Sequence, residues 1–275
     1  MSFLDTDIAE RATGQPRARG MLRLSVKRLG ARTVIDRFQT SGATKVLFPR
    51  SNALEAIQIN TAGGLTGGDR FATDVDLGSG CDLTLTTQAA ERAYRSSGGT
   101  AQIKTRLRLE TGARLCWLPQ EMIVFDGSAL DRHLSIELAE GSRLLMVESI
   151  VFGRTAMGER LNDIALSDRI EVRRAGRPIY LDRIRIVGDA EEHLSQPAVC
   201  RDARAMASLV YCAPDAEWHL PVVRAQLPQS GGASLLSPDL LALRLLAGDG
   251  FLLRRSLLPI LETLRGNPLP RSWSL

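Results

Sequence analysis

Hydrophobic and polar residues alternate along most of the chain before residue 200. Clear examples of this period of two are Leu22–Val26, Ile103–Leu109 and Arg183–Val187. Because successive side chains of a β-strand point to opposite faces, such alternation predicts half-buried strands. Long helical patterns are absent before residue 200. The pattern therefore predicts a mainly β fold class, with a β body over residues 21–190.

An internal repeat refines this prediction. Three segments share the pattern apolar-x-Leu-x-x-Gly-x-x-Leu, which is typical of a strand, a glycine turn and a second strand: Val75–Leu83, Leu107–Leu115 and Ile136–Leu144. Recurrence at offsets of 32 and then 29 residues, counted from their first positions, indicates stacked β units. A single unit cannot bury its own apolar face, so stacked neighbours would form the core. The repeat predicts a β-helix-like stack or a layered β body, and three similar hairpins are the alternative.

The pattern changes beyond about residue 195, where helical spacing appears. Pro214–Gln226 begins with a proline that suits a first helical turn, and Phe251–Leu264 carries leucines at helical spacing. Pro259 interrupts the second segment and predicts a kink there. We expect two C-terminal helices packed on the β body.

Two further segments complete the expected organisation. Leu240–Leu246 is almost uniformly apolar and fits either a strand or a helix. Residues 8–20 are rich in Arg, Gly and Pro, which predicts a mobile arm. The chain is expected to form a single domain over residues 1–275, in which residues 200–275 are a mixed α/β C-terminal part.

Composition and charge exclude several classes of function. The chain is 44% hydrophobic and 24% charged, which is ordinary for a globular protein with a core. The net charge is only +4, and no dense basic run with interleaved aromatics is present, so nucleic-acid binding is not expected. No apolar run is long enough to span a bilayer, and the acidic start lacks the core of a signal peptide. A cytoplasmic location without membrane contact is therefore expected.

Cysteine and histidine give no sign of a tight metal site. The four cysteines show no Cys-x-x-Cys spacing, and the three histidines stand far from one another and from any cysteine. A structural zinc site needs clustered ligands of these types, so none is expected. A nucleophile elbow of the form Gly-x-Ser-x-Gly is also absent, although a triad assembled from distant positions stays open.

Four acidic residues stand beside glycine-rich turns or within apolar runs: Asp69, Glu121, Asp126 and Glu148. A charge at such a place must be paired, protonated or functional. One interpretation is buried salt bridges, with Arg92, Arg154 and Arg160 as candidate partners. The other is a polar path that binds a divalent ion weakly, because exchangeable oxygen ligands suit a relay better than a Cys/His cage does.

Several motifs in a fixed order carry a family resemblance. Asn60–Arg70 reads Asn-Thr-Ala-Gly-Gly-Leu-Thr-Gly-Gly-Asp-Arg and lacks the Gly-Lys-Ser/Thr ending of a phosphate-binding loop. Together with Leu83–Ser96, Leu118–Glu159 and the C-terminal Leu269–Trp273, this loop resembles the family of urease accessory proteins called UreD in some organisms and UreH in others. The resemblance extends from about Leu22 to Trp273.

The resemblance implies a non-enzymatic urease maturation factor with a β-helical fold. Members of the family assemble with accessory protein F and the GTPase G, and the complex docks on apo-urease to place nickel in its active site. The chain has no nucleotide motif, so GTP hydrolysis would belong to the partner. The implied role is scaffold and nickel conduit, in a hetero-oligomeric complex that can contain a dimer of this chain.

That role implies transient nickel rather than a tightly bound cofactor, with Asp69, Glu121, Asp126 and Glu148 as its candidate ligands. The alternative function is a β-rich hydrolase or lyase that uses paired carboxylates as acid and base. A plain adaptor without a metal role differs only in what the four carboxylates do. The leucine-rich segment Phe251–Trp273 is predicted to contact accessory protein F, because exposed apolar patches usually mark interfaces.

Overall fold

The computed structural model describes residues 17–51, 53–154 and 157–274. Strands dominate it, which confirms the mainly β fold class. In chain order the strands are β1 (Arg19–Leu29), β2 (Arg32–Gly42), β3 (Thr44–Leu47), β4 (Leu54–Asn60), β5 (Arg70–Leu77), β6 (Asp82–Thr87), β7 (Glu91–Ala93), β8 (Ala101–Leu109), β9 (Arg114–Leu118), β10 (Met122–Val124), β11 (Ala129–Leu138), β12 (Arg143–Phe152), β13 (Ile164–Arg174), β14 (Arg177–Gly188), β15 (Ala205–Cys212), β16 (Gly231–Ser237) and β17 (Leu240–Ala247).

The chain winds between two large sheets in successive coils. The first sheet has the order β14-β13-β11-β8-β5-β1-β2, and the second has the order β16-β17-β15-β12-β9-β6-β4-β3. Equivalent strands of successive coils pair in parallel, as β5 does with β8 and β6 does with β9. The short strands β7 and β10 pair with each other, and β10 with the end of β12, on a third side. This arrangement is the β-helix-like stack, not a sandwich of hairpins.

The sequence repeat coincides with the stacking register. Val75 lies beside Leu107, which lies beside Ile136, and the second strands of the repeats match in the same way. Each repeat glycine occupies the corner between the first and the second sheet with positive φ: Gly80 at 65°, Gly112 at 70° and Gly141 at 71°. Glycine adopts this conformation without steric cost. The repeat therefore marks one corner of three successive coils.

The glycine-rich loop between β4 and β5 crosses the third side of the stack. A Cβ added at Gly64 would overlap the Tyr94 ring, and one at Gly67 would overlap Ser96. Two of its glycines are thus required for close approach of neighbouring coils, which gives the loop a defined shape.

The C-terminal part extends the second sheet and covers its outer face. β15 pairs antiparallel with β12, and β17 follows β15, so the undecided segment Leu240–Leu246 is a strand. Both predicted helices are present, as α2 (Ala216–Gln226) and α3 (Gly250–Arg265), and a short unpredicted helix, α1 (Ala190–Ser195), precedes them. Helix α3 continues past Pro259 to Arg265.

The predicted N-terminal arm is only partly described. Residues 8–16 of the predicted arm lie outside the described residues, whereas Arg19 and Gly20 already belong to β1. Among the described residues, no helix has both the length and the apolar character that crossing a bilayer requires.

Apolar side chains form three clusters. Two lie inside the coils, one toward the glycine corners and one toward the third side. The third lies between the second sheet and helices α2 and α3, and it contains Leu253, Leu257, Ile260, Leu261 and Leu264 of α3. These helical leucines are therefore core residues, while Phe251 of the same segment is exposed, and the contact of Phe251–Trp273 with accessory protein F stays a prediction.

Candidate functional site

A layer of polar side chains separates the two apolar clusters inside the coils. Its members occupy inward-facing strand positions that would otherwise continue the apolar pattern. The second sheet contributes Gln58, Thr87, Glu148, Ser208 and Arg244, and the first contributes Thr73, Thr105, Arg132, Asp168 and Asp182. Because each coil adds members to the layer, it runs along the stacking axis from coil to coil.

Arg132 of β11 lies at the centre of this layer. Its Nε and one terminal nitrogen donate to the two carboxylate oxygens of Asp168 on the neighbouring strand β13, at 2.9 and 2.6 Å. The other terminal nitrogen donates to Glu148 on β12, across the interior, at 2.6 Å. Trp117 Nε1 donates to the second oxygen of Glu148 at 2.7 Å. One guanidinium thus joins the two sheets through two buried carboxylates.

The electrostatics of this triad are those of a desolvated ion cluster. Burial raises the pKa of Glu148, while the Arg132 guanidinium and the Trp117 N–H oppose that shift by favouring the ionised form. Burial alone would lower the pKa of Arg132, but Asp168 and Glu148 raise it. With both carboxylates ionised, the triad has one negative charge in excess, which favours a cation nearby.

A cavity of about 220 Å³ leads to the triad from the surface. Gly63, Gln88 and Arg92 line it near the surface, and Arg132 and Glu148 line its inner end. Two further polar groups, the amide of Gln58 and the hydroxyl of Thr73, lie along it and are hydrogen-bonded to each other at 3.0 Å.

Glu91 is the carboxylate that lines the outer part of this cavity. It accepts a hydrogen bond from Asn60 Nδ2 at 3.0 Å. Burial raises its pKa, and the Asn60 amide opposes the shift. Glu91 and Glu148 therefore offer carboxylate oxygens at the two ends of one cavity.

Beyond the triad, the polar layer reaches the other end of the stack. Asp182 of β14 accepts hydrogen bonds from Arg244 at 2.6 Å and from Ser208 at 3.0 Å, which join the two sheets again. Burial and the Asp182 carboxylate raise the pKa of the nearby Tyr180 to about 12. Acidic, amide and hydroxyl oxygens thus occur at intervals from the cavity mouth to this end.

Asp69, one of the four predicted ligands, uses its carboxylate to hold a loop through hydrogen bonds to the backbone. It is buried, and its two oxygens accept the backbone N–H groups of Ala18 at 2.7 Å and Thr66 at 2.8 Å. These contacts fix the glycine-rich loop to the start of β1.

Asp126 has a similar role on the third side. One oxygen accepts the backbone N–H groups of Asn162 and Asp163, and the other pairs with Arg95. The carboxylate thereby joins two successive corner loops.

Glu121 lies beside the cavity mouth. Its carboxylate pairs with Arg254 of α3 at 3.1 Å, and its backbone carbonyl accepts the N–H of Glu91. The two residues that precede it, Pro119 and Gln120, line the cavity.

Glu148 is the one predicted ligand within the polar layer. Its partner is Arg132, not Arg92, Arg154 or Arg160 as the sequence suggested. Arg154 pairs instead with Glu159. The structure therefore distributes the four predicted residues over separate places.

Sequence reasoning missed Arg132, Asp168 and Asp182, and it noticed Glu91 without placing it among the four candidate ligands. A signal for two of them is nevertheless present in the alternation. Arg132 stands between Leu130 and Leu134 in the apolar register of β11, and Asp168 stands between Leu166 and Ile170 in that of β13. Charged residues at inward-facing positions of two adjacent strands indicate an ion pair in the interior.

The polar groups of the layer are spaced along the stack and are not clustered around one point. Within residues 17–51, 53–154 and 157–274, no group of three or more His, Cys, Asp or Glu side chains could enclose a metal ion. Spaced oxygen ligands bind hard and borderline divalent cations weakly and exchangeably.

Comparison with known proteins gives one consistent result. A family described as UreD urease accessory protein matches residues 18–274. A protein of Roseobacter denitrificans named urease accessory protein UreD is 51% identical over 263 residues, which cover 95% of this chain and 96% of the relative. Proteins of the same name from Ruegeria pomeroyi and Brucella suis are 51% identical over 257 residues and 44% identical over 265 residues. The alignments cover 92% and 94% of this chain and 100% and 95% of the relatives.

Proposed function

The chain belongs to the UreD family of urease accessory proteins, and from this premise we propose that it is a nickel conduit and scaffold in urease maturation. Nickel enters the cavity beside Glu91, passes the triad around Arg132 and leaves toward Asp182. The observation that carries the proposal is the polar layer, which runs through an otherwise apolar interior. Such a layer carries a desolvation cost that an apolar interior would not, which favours a functional reason for its presence.

Nickel is the cargo of this path and not a resident cofactor. The oxygen ligands along the layer are carboxylates, amides and hydroxyls, and the described residues hold no Cys/His cage. A weak ligand set releases the ion to the next group, whereas thiolate and imidazole clusters would retain it. This chemistry supports a relay with no tightly bound metal.

A non-enzymatic role is favoured over the hydrolase or lyase alternative. The relatives carry the name of accessory proteins. In addition, both carboxylates of the interior pair are engaged by Arg132, which leaves neither of them set up as a free general acid or base.

We place the contact with accessory protein F beside the cavity mouth. Arg254 of α3 donates to Gln120 and Glu121 there and stacks on the Trp273 ring at 4.8 Å. One turn earlier, Phe251 is 72% exposed. A partner at this position would cover the mouth and bring its own metal ligands to it. Accessory proteins F and G and apo-urease are thus the partners of the proposed complex.

Narrowing the cavity tests the conduit directly. Thr105→Leu adds volume and removes a hydroxyl at the inner part of the cavity, so we expect the nickel content of co-expressed urease to fall severalfold. Thr84→Leu is the control, because Thr84 is also buried but does not line the cavity. Nickel content, melting temperature and copurification with the partners are measured on both variants. Normal nickel content in a folded Thr105→Leu variant would remove the conduit proposal.

A further inference from the structure

Arg132 is the one charged donor at the inner end of the cavity, among the lining residues that the structure describes, and Glu148 lies beside it. The guanidinium of Arg132 borders the cavity and at the same time binds both interior carboxylates, Glu148 and Asp168. These contacts span the interior from β12 to β13. A cation that moves inward from Glu91 therefore reaches a carboxylate, Glu148, that is already paired with the positive charge of Arg132.

The two carboxylates differ in what would hold them if Arg132 moved away. Glu148 keeps a second donor, Trp117 Nε1, that does not depend on Arg132. Asp168 is carried by β13, which is paired on both sides by β11 and β14. Glu148 thus keeps a donor without Arg132, and the short side chain of Asp168 keeps its carboxylate close to β13, whereas the longer side chain of Arg132 lies beside a cavity.

We propose that Arg132 is the gate of the path, a built-in counter-ion that a divalent cation must displace from Glu148 and Asp168. This inference rests on the conduit proposed above. An arginine remains charged at all physiological pH values, so the gate opens by movement and not by loss of a proton. The neighbouring cavity of about 220 Å³ provides the space for that movement.

Charge explains why such a gate selects divalent cations. With both carboxylates ionised, the triad has two negative charges and one positive charge. Replacing the guanidinium with a monovalent cation leaves the same excess charge and loses the bidentate hydrogen bonds to Asp168. Replacing it with a divalent cation neutralises both carboxylates. In a low-dielectric interior, the change from one excess negative charge to none has a large effect on the electrostatic energy. Sodium and potassium therefore stay outside, while Ni²⁺ or Mn²⁺ can pass.

Removing the guanidinium should uncover a divalent site. We expect Arg132→Met to bind Mn²⁺ at least tenfold more tightly than the unchanged chain does, measured by electron paramagnetic resonance of Mn²⁺ on the full chain in its complex. Adding Glu148→Gln to Arg132→Met should abolish the gain. Activation of urease by Arg132→Met should fall, because the ion is retained. No gain of Mn²⁺ binding in a folded Arg132→Met variant would overturn the gate.

A charge-neutral triad keeps the test decisive if Arg132→Met alone does not fold. The combination Arg132→Met, Glu148→Gln and Asp168→Asn removes all three charges, so no uncompensated charge is left in the interior, which is the main cost of breaking a buried ion pair on one side. The gate predicts that this variant assembles with its partners but delivers severalfold less nickel to urease. Full delivery would mean that the triad only holds the sheets together.

Failure of the gate and failure of the conduit give different results. If Thr105→Leu lowers delivery while the neutral triad does not, the conduit stands and Arg132 is no gate. If Thr105→Leu has no effect, the conduit itself is wrong.

Arg132→Lys keeps the positive charge but cannot form the two parallel hydrogen bonds with Asp168, and it should give intermediate Mn²⁺ binding.

Discussion

Two buried carboxylates show how the kind of donor decides what an acidic residue can do. Asp69 is bound by two backbone N–H groups, which are fixed by the fold of the loop and the first strand. Glu148 is bound by a guanidinium and an indole, and the guanidinium belongs to a long side chain that borders a cavity. Only the second arrangement lets a donor leave so that a cation can take its place.

Asp69→Asn should therefore act on stability and not on metal transfer. An amide offers one acceptor oxygen, so one of the N–H groups of Ala18 and Thr66 would face another donor. We expect the free energy of unfolding to fall by about 1–3 kcal/mol, measured by urea denaturation. Asp76→Asn, at an exposed pair with Arg108, is the control and should change it by less than about 1 kcal/mol. Lower nickel delivery at unchanged stability would instead support a relay role for Asp69.

Glu91 should give the stability a defined pH dependence. Burial raises its pKa above the ordinary value of 4.5, so the folded chain favours the protonated form. Its contribution to stability is present below 4.5 and is lost as the pH rises through the raised pKa. Glu91→Gln should therefore become more stable relative to the unchanged chain as the pH rises. Urea denaturation of both chains from about pH 4 to about pH 8 measures this difference, and a difference that stays constant with pH would contradict the prediction.

At the scale of single elements, helix α3 joins local signals to tertiary packing. Asp249 accepts the N–H of Leu252 at 2.7 Å as its N-cap, and Gly266 ends the helix with φ 70°. Its leucines are buried against the second sheet. The packing of this face explains why the helix continues past Pro259, since tertiary contacts compensate the lost hydrogen bond.

Asp249→Ala should remove about 1 kcal/mol from the free energy of unfolding, because the cap oxygen satisfies an otherwise unpaired N–H. Glu262→Ala on the exposed face of the same helix serves as the control and should be nearly neutral. Urea denaturation of both variants provides the comparison. Equal losses would show that the cap contributes nothing specific at Asp249.

At the scale of the whole molecule, two exposed aromatic residues lie on different helices and mark two candidate contact surfaces. Phe251 is on α3 near the cavity mouth, and Trp218, which is 81% exposed, is on α2. If accessory protein F covers the mouth, Phe251→Ser should weaken its binding about tenfold, as is usual for loss of a central aromatic anchor. Trp218→Ser is matched in exposure and should leave that binding unchanged. Titration calorimetry with purified accessory protein F measures both, and the reverse ranking would move the contact to α2.

Much of the fold could be predicted from patterns among residues that are close in sequence. The period of two, the repeat glycines Gly80, Gly112 and Gly141, and the helical spacing of α3 all depend on residues close in sequence. Backbone preference and the burial of one face act locally, so the strands, the corner turns and both C-terminal helices follow from them. The motif order likewise indicated the family.

The polar path depended on tertiary structure. Glu148 was recognisable because it interrupts an apolar run, but its partner Arg132 is 16 residues away and Asp168 is 36 residues from Arg132. Asp69 and Asp126 occur in equally suggestive contexts, yet backbone N–H groups from distant segments occupy them. Partners of a buried charge are set by the register of parallel coils, and that register places residues from different coils side by side. The sequence by itself determined the strands, the corners and the family, whereas only the stacking of coils decided which charges meet in the interior.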